Sequence, residues 1–287
     1  MKKNFNKNNQ ILDKYSLPLD KIGSFIGLFN IPFESDVAYP IEYENGKYLY
    51  MTFNQYMPYR GQVELTPYDI SLINVIRSIK KHRSKDGEPV EIVLDDIINV
   101  IYKTKKQEYY KIAKERLEYL STTKVYIDYT EVYNDITKNE KYKLDEKGIS
   151  NYLINLTSKT TKKKGIETVV YTIYDTPLQF YTDATMRETS INPEYVFNGR
   201  ITNKELSVKM YIMTKLCSRN INELTIEKII NDVGVIKDKN KRYLEMIDKI
   251  VNELKVIGKL KNLHYRNVRN EKVDDIKDAY KLSIKKL

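Results

Sequence analysis

The residues of this chain best equipped for chemistry are its cations, and they are unevenly placed. Lys237, Lys239, Lys241 and Arg242 fall close together, Lys249 follows one to two helical turns later, and Lys261, Arg266 and Arg269 come soon after Gly258. An earlier group, Lys103, Lys106, Gln107, Lys111 and Lys114, has the same character. Lysine supplies a compact point charge, and arginine a planar fork that can pair two acceptors on a phosphate or a base edge. Residues 1–199 hold 28 Lys and Arg against 27 Asp and Glu, whereas residues 200–287 hold 21 against 12, so nearly all of the net charge of +10 belongs to the last third. Only ten of the 49 basic residues are Arg, and five of them (Arg200, Arg219, Arg242, Arg266, Arg269) lie in that last third. A clustered basic surface concentrates phosphate and gains free energy by releasing condensed counterions, which makes nucleic acid the first partner to consider. Abundant Lys, Asn, Ile and Tyr is also what an AT-rich genome encodes, so the arginines carry more of that inference than the lysines.

Other chemistry is poorly provided for. No G-x-x-x-x-G-K-[ST] run is present, which disfavours ATP hydrolysis of the P-loop type. The two histidines, His82 and His264, lie far apart, and with the lone Cys217 they can form neither a His pair nor a Cys/His zinc cluster. Nickases that set a His-x-His pair beside a tyrosine are therefore disfavoured, despite 25 tyrosines. Of the two carboxylate pairs, Asp95-Asp96 reads as a helix start, with Asp95 as its cap, and Asp274-Asp275 as a polar loop; metal ligation is the minority reading of both. His264 reads as a solvent-facing strand residue rather than a general base. No catalytic residue, metal ligand or cofactor is thus expected, nor an enzyme. Cys217 cannot make an intrachain disulfide and reads as a small core residue. No apolar run approaches the roughly 20 residues of a membrane span and no signal peptide is visible, so the expectation is a cytoplasmic protein with a frayed basic N-terminus and no membrane partner.

The elements that must position these cations occur as one order used twice. Residues 11–64 are hard to assign, except that Lys47–Phe53 alternates as a strand after the Asn45-Gly46 turn signal. Thr66 can cap a helix that holds Pro67 and Asp69 in its first turn and Ile70, Ile73, Ile76 and Ile79 at helical spacing, up to about His82. Val90–Val93 is predicted as a short strand and Asp95–Tyr102 as a short helix. A third helix follows, with Tyr109, Ile112, Ala113, Leu117 and Leu120 inward and the basic group, with Tyr110, outward. Lys124–Tyr133 alternates as a strand, and Asn151–Leu156 with Thr168–Tyr174 reads as a hairpin whose tip, Ser158–Gly165, carries Lys159 and Lys162–Lys164. Residues 175–200 read as a connection.

The second copy opens on Thr202-Asn-Lys-Glu205, a capping-box pattern, followed by a helix with Leu206, Val208, Tyr211, Ile212, Leu216 and Cys217 on one broad face. Leu224-Thr225 is read as opening the second helix, which ends at Gly234. A third is predicted from about Lys239 to Ile257, striped by Tyr243, Ile247, Ile250 and Leu254, with Lys241, Arg242, Glu245, Asp248, Lys249 and Asn252 opposite. Lys259–Tyr265 and Ala279–Ile284 can then pair across a polar loop that holds Arg266, Arg269 and Lys272. This is the pattern of a winged helix-turn-helix, in which the third helix enters the major groove and a hairpin wing reaches the adjacent backbone. Lys237, Lys239, Lys241 and Arg242 would stand at the base-contacting end, Lys249 at phosphate, and Lys261, Arg266 and Arg269 on the wing. A solvated face of an interaction domain is the competing reading, because Asp238, Glu245 and Asp248 interrupt the basic face.

In this order of elements over residues 66–287, and locally in Leu206-Ser-Val-Lys-Met-Tyr-Ile-Met-Thr-Lys-Leu and Ile247-Asp-Lys-Ile-Val-Asn-Glu-Leu-Lys-Val-Ile-Gly-Lys-Leu, the chain resembles plasmid replication initiator (Rep) proteins of the tandem winged-helix, theta-replication type. The resemblance implies an α+β fold of two tandem winged-helix domains with small antiparallel wing sheets. The domains would be 66–182, for dimerisation and DNA contact, and 202–287, for the main DNA contacts, joined by a linker at 183–201. Residues 1–65 would be a partly disordered extension, and they match nothing in the family. The resemblance further implies double-stranded origin repeats as ligand, a homodimer that represses its own gene, local opening of an AT-rich segment without catalysis, and host helicase or loader proteins as partners. Two readings stand beside it: a winged-helix transcriptional or plasmid-segregation regulator that binds operator repeats without unwinding, and a nuclease or primase subunit using a carboxylate-bound metal.

Overall fold

A computed structural model describes residues 17–19, 33–42, 46–55, 62–85, 88–102, 104–136, 147–163, 166–175, 189–191, 193–197, 202–217, 222–233, 241–256 and 260–284. Five strands precede the first long helix: β1 (Leu17–Leu19), β2 (Phe33–Glu34), β3 (Ala38–Glu42), β4 (Tyr48–Gln55) and β5 (Gln62–Val63). The helix α1 (Pro67–Arg83) starts where the capping pattern places it. Its Asp69 amide donates to the Thr66 hydroxyl at 3.4 Å, while the Thr66 amide donates to the Asp69 carboxylate at 2.7 Å. Next come β6 (Val90–Val93), α2 (Leu94–Ile101), α3 (Gln107–Thr122), β7 (Thr123–Asp128), the one-turn α4 (Tyr133–Ile136), β8 (Gly148–Tyr152), β9 (Leu156–Lys163) and β10 (Ile166–Ile173). The second set follows β11 (Thr189–Ile191) and the one-turn α5 (Pro193–Val196): α6 (Asn203–Cys217), β12 (Glu223–Thr225), α7 (Ile226–Asp232), α8 (Lys241–Leu254), β13 (Leu263–Arg266), β14 (Lys272–Val273) and β15 (Lys281–Ile284).

Two sheets repeat one topology. In the first the order is β6-β10-β9, in the second β12-β15-β13-β14, and every pairing is antiparallel. In both, the strand before the second helix lies beside the last strand, and the last strand lies beside an earlier one that comes after the third helix, β9 or β13. A further four-stranded antiparallel sheet, β3-β4-β7-β8, joins two strands from before α1 to two that lie between α3 and β9, with Phe53 opposite Val125 and Met51 opposite Ile127. Its inward side chains Leu49, Met51, Phe53, Val125 and Ile127 are buried, as period-two alternation requires.

The two sets join through their first helices. Both α1, from Pro67 to Lys80 with the exception of Tyr68, and α6, from Leu206 to Thr214, are buried on all sides rather than along one stripe. They pack on each other, with the Ser71 hydroxyl 3.7 Å from the Met210 sulfur. Burial so complete includes polar groups, each of which needs a partner: Lys80 pairs with Asp175, and Lys209, only 2% exposed, with Glu253 at 2.8 Å.

Several sequence expectations change. Residues 38–42 and 48–55 are not outside the first set, because β3 pairs with β4 and β4 with β7 along six residues. The connection at 183–201 contains β11, hydrogen-bonded to β1, and the turn of α5, with Val196 and Phe197 buried. The strand predicted to reach Tyr133 stops at Asp128, where a turn leads into α4. Asn151 and Tyr152 belong to β8, while the hairpin is made by β9 and β10, so Ser158–Lys163 is strand rather than tip. Leu224 and Thr225 close β12, and Thr225 caps α7 by accepting from the Lys228 amide at 3.1 Å. The acid that caps α2 is Asp96, bonded to the Val93 amide at 3.0 Å, and not Asp95.

Candidate nucleic-acid interface

The helix that carries the cations, α8, owes its place to its apolar stripe. Tyr243, Ile247, Ile250, Val251 and Leu254 are buried, and α8 packs on α6 and on the turn at Ile276–Asp278. Lys241, Arg242, Glu245, Lys249 and Asn252 face solvent. Of the acids that interrupt this face in the sequence, Asp248 is engaged elsewhere: the Tyr265 hydroxyl donates to it at 2.8 Å, which ties β13 to α8. Asp238 lies outside the described residues, and Glu253, further along α8, holds Lys209. The Tyr265 hydroxyl pKa is raised, first by burial and then by this bond to Asp248. Glu245 stays in solvent, 3.9 Å from Lys241, a distance at which an exposed pair contributes little.

The described start of α8 runs against helix electrostatics. The N-terminus of a helix carries partial positive charge, so acids stabilise the first turn and bases destabilise it, by about 0.3–1 kcal/mol each. The first turns of α1, α2, α3, α6 and α7 obey this rule with Asp69, Asp95 and Asp96, Glu108, Glu205 and Glu227. Among the described residues α8 opens on Lys241-Arg242, with no acid in the turn that follows. Bases so placed gather positive charge toward the end of a helix that attracts anions. Lys237 and Lys239, named with them from the sequence, lie outside the described residues, as does Lys103.

The loop between β13 and β14 is a preformed tip. Asn267 accepts from the Arg269 and Glu271 amides, both at 2.9 Å, and Arg266 donates to the Asn270 carbonyl at 2.6 Å. Asn270 sits at φ 66°, in a left-handed region that asparagine tolerates. Arg266 is thus partly used in bracing the turn. Arg269 and Lys261 are exposed, and between the bracing residues Val268 projects with 79% of its surface in water. Sequence reasoning passed over Val268; its signal was an apolar residue inside an Asn-x-x-Asn turn.

Lys249, expected at phosphate, is instead bonded at 2.7 Å to Glu205 of the α6 capping box. This bond, then the Coulomb attraction, raises the Lys249 pKa. Burial pushes the Glu205 carboxyl up, but the bonds from Lys249 and Thr202 outweigh it and hold it below its ordinary range.

In the first set Lys106, Gln107, Lys111 and Lys114 are all exposed, and they stand among acids. Lys111 and Lys114 lie 3.9 Å from Glu115 and Glu118, Lys106 lies over the Tyr109 ring, and Tyr109 stacks on Tyr102 at 3.9 Å. Tyr110 turns from the expected outward face to donate to Asp95, which also holds Lys105 at 2.6 Å. Burial, then this bond, moves the Tyr110 hydroxyl up to about 12. The α3 face is therefore close to neutral and the α8 face basic.

His82 ends α1, and His264 lies on β13 with Nδ1 2.8 Å from the Asn262 carbonyl, so the two histidines belong to different sets. Among the described residues no three His, Cys, Asp or Glu side chains gather where a metal ion could sit, and no helix is long and apolar enough to cross a membrane.

No protein-family model and no curated protein matches this chain. Two crystal structures of domains 2 and 3 of RctB are similar to it in fold. The first, of selenomethionine derivatives, has a TM-score of 0.51 at 10% identity and covers 92% of this chain and 98% of that one. The second, RctB 155–483, has a TM-score of 0.51 at 11% identity and covers 92% and 96%.

Proposed function

We propose that this chain is a replication initiator that binds double-stranded DNA through two tandem winged-helix units, with α8 as the major-groove helix of the second. The observation that carries the reading is the exposed Lys241-Arg242 pair at the start of the described part of α8, in the part of the chain that holds the excess positive charge. Three helices with a sheet in the order β12-β15-β13 support the winged-helix assignment, and the repeat of that order in β6-β10-β9 supports the tandem arrangement. The domains whose fold the chain shares come from RctB, which is a replication initiator.

In this reading Lys241 and Arg242 reach base edges, Lys261 and Arg269 reach the neighbouring backbone, and the near-neutral first unit contributes fewer phosphate contacts. Copies bound at repeated sites of a plasmid-type origin, and as a homodimer at the operator of its own gene, would bend the duplex and open an AT-rich neighbour. Host helicase or loader proteins would then enter. No catalytic centre is needed: opening costs about 1.4 kcal/mol per base-pair step on average, a cost that several bound copies and supercoiling can share.

The test is selection of duplexes from a random pool by the full chain, followed by permanganate footprinting of the selected repeats beside an AT-rich segment in supercoiled DNA. Selected repeats with reactive thymines nearby, in the presence of host factors, are expected. Repeats without unpaired thymines would leave a regulator that binds operators. A divalent-dependent nick at a fixed position would move the chain among nucleases, and recovery of no sequence would overturn the reading.

A further inference from the structure

The bond between Lys249 and Glu205 has a counterpart in the first set. There Asp69, the acid of the α1 capping box and 0% exposed, is held by Arg116 of α3, with Nε 2.6 Å from one carboxylate oxygen and Nη2 2.7 Å from the other. In the second set Glu205, the acid of the α6 capping box, gives one oxygen to the Thr202 amide at 2.8 Å and the other to Lys249 of α8 at 2.7 Å. In both, the base stands near the middle of the third helix and the acid at the third position of the first. One side chain thus does two things: it caps the first helix and anchors the third.

The second set adds a rung. Lys209, four residues after Glu205, bonds at 2.8 Å to Glu253, four residues after Lys249. The polarity alternates, acid to base and then base to acid. If α8 slipped by one turn, about 5.4 Å, Lys249 would face Lys209 or Glu253 would face Glu205. One of these pairs sits on a lysine with 2% exposure, where a like charge is costly. The ladder therefore admits a single register of α8 on α6.

We propose that Lys249 is a positioning residue, with Arg116 as its equivalent in the first unit, and that the Glu205–Lys249 and Lys209–Glu253 ladder sets the register in which α8 presents Lys241 and Arg242. Lys249 is then no phosphate ligand, and base discrimination depends on a side chain that touches no DNA. The DNA arm of this inference rests on the reading of α8 as the groove helix, whereas the stability arm does not.

The experiment uses the full chain with Lys249→Met, Lys249→Arg and Glu205→Gln, beside Arg269→Ala. Melting is followed without DNA. Binding is measured against salt on a mixed-sequence duplex and on a duplex selected from a random pool. Lys249→Met and Glu205→Gln should both lower the melting temperature, and Lys249→Arg should keep it at the parent's. On the mixed duplex the salt slope of Lys249→Met should equal that of the parent, whereas Arg269→Ala should lose about 0.9, one phosphate contact. Preference for the selected duplex should fall roughly tenfold in Lys249→Met, the scale of one displaced base contact. A loss of about 0.9 in slope from Lys249→Met, or an unchanged melting temperature, would overturn the inference. A parent chain that binds neither duplex would sink the initiator reading and leave the ladder to be judged by melting of Lys249→Met against Lys249→Arg.

Discussion

Replacing Arg116 by Met should be among the most damaging single changes in the first unit, and its size can be worked from the contacts. Asp69 is fully buried, and its carboxylate accepts from the Thr66 amide and hydroxyl on one oxygen and from Arg116 on both. Met keeps most of the aliphatic volume but leaves one carboxylate oxygen with no donor and the other with its cap alone. It also takes a donor from the Glu64 carbonyl, 3.0 Å from Arg116. Removing one partner of a buried pair costs about 3–5 kcal/mol, chiefly because a charge is left uncompensated. At about 2–4 °C per kcal/mol for a chain near this size, the melting temperature should fall by about 6–20 °C. The assay is urea unfolding followed by far-ultraviolet circular dichroism, with Asp69→Asn added to the same chain. Asn keeps a capping oxygen and removes the stranded charge, so the double variant should be more stable than Arg116→Met alone. A loss below about 1 kcal/mol, or a double variant less stable than the single, would refute the reasoning.

Arg242→Ala should cost about 1–3 kcal/mol on a selected duplex and far less on mixed-sequence DNA; equal losses in a competition assay would reassign it to the backbone. Asp95 and Glu205 have carboxyls lowered from 3.8 and 4.5, the first by bonds from Lys105 and Tyr110, the second by bonds from Lys249 and Thr202 that outweigh burial. The stability they contribute is present above those ordinary values and is lost as pH falls through the lowered ones. Melting in acid should therefore decline less steeply in Glu205→Gln than in the parent, and parallel curves would refute this. A fragment of residues 202–287 should associate or precipitate rather than bind DNA as a monomer, because it uncovers the α6 face that meets α1; a monodisperse fragment in sedimentation would count against that packing.

Much of this fold could be read from local pattern. Thr66 with Asp69 and Thr202 with Glu205 mark two helix starts, and the stripes of α3 and α8 show their buried faces. The failures have a common cause in long-range pairing. The Lys- and Thr-rich sequence of β9 lacks apolar alternation and reads as loop, yet it is an edge strand fixed in register by β10 alone. The alternation of β4 was visible, but its partner β7 lies beyond three helices in sequence. Lys80, Arg77 and Lys209 look like solvent-facing residues, and they are buried because α1 and α6 have neighbours on every side. At the candidate interface the cations are visible in the sequence, but the bond of Lys249 to Glu205 is not, because Glu205 lies 44 residues away. The alternating pairs Glu205/Lys209 and Lys249/Glu253, each spaced by four, were the readable clue.

The contact of α1 with α6 also sets a length. The first helix of each unit is buried against the other, so the units cannot swing apart without exposing both, and the spacing between α3 and α8 belongs to the protein rather than to a tether. A duplex that meets both helices must offer its two sites at that spacing and on the matching side of the double helix. About 5 base pairs inserted between them, half a helical turn, would turn one site away, whereas a full turn would restore the side but not the distance. If DNA meets both helices as proposed, the molecule would measure it as a fixed caliper does, and a duplex that does not fit would have to bend or twist to be held.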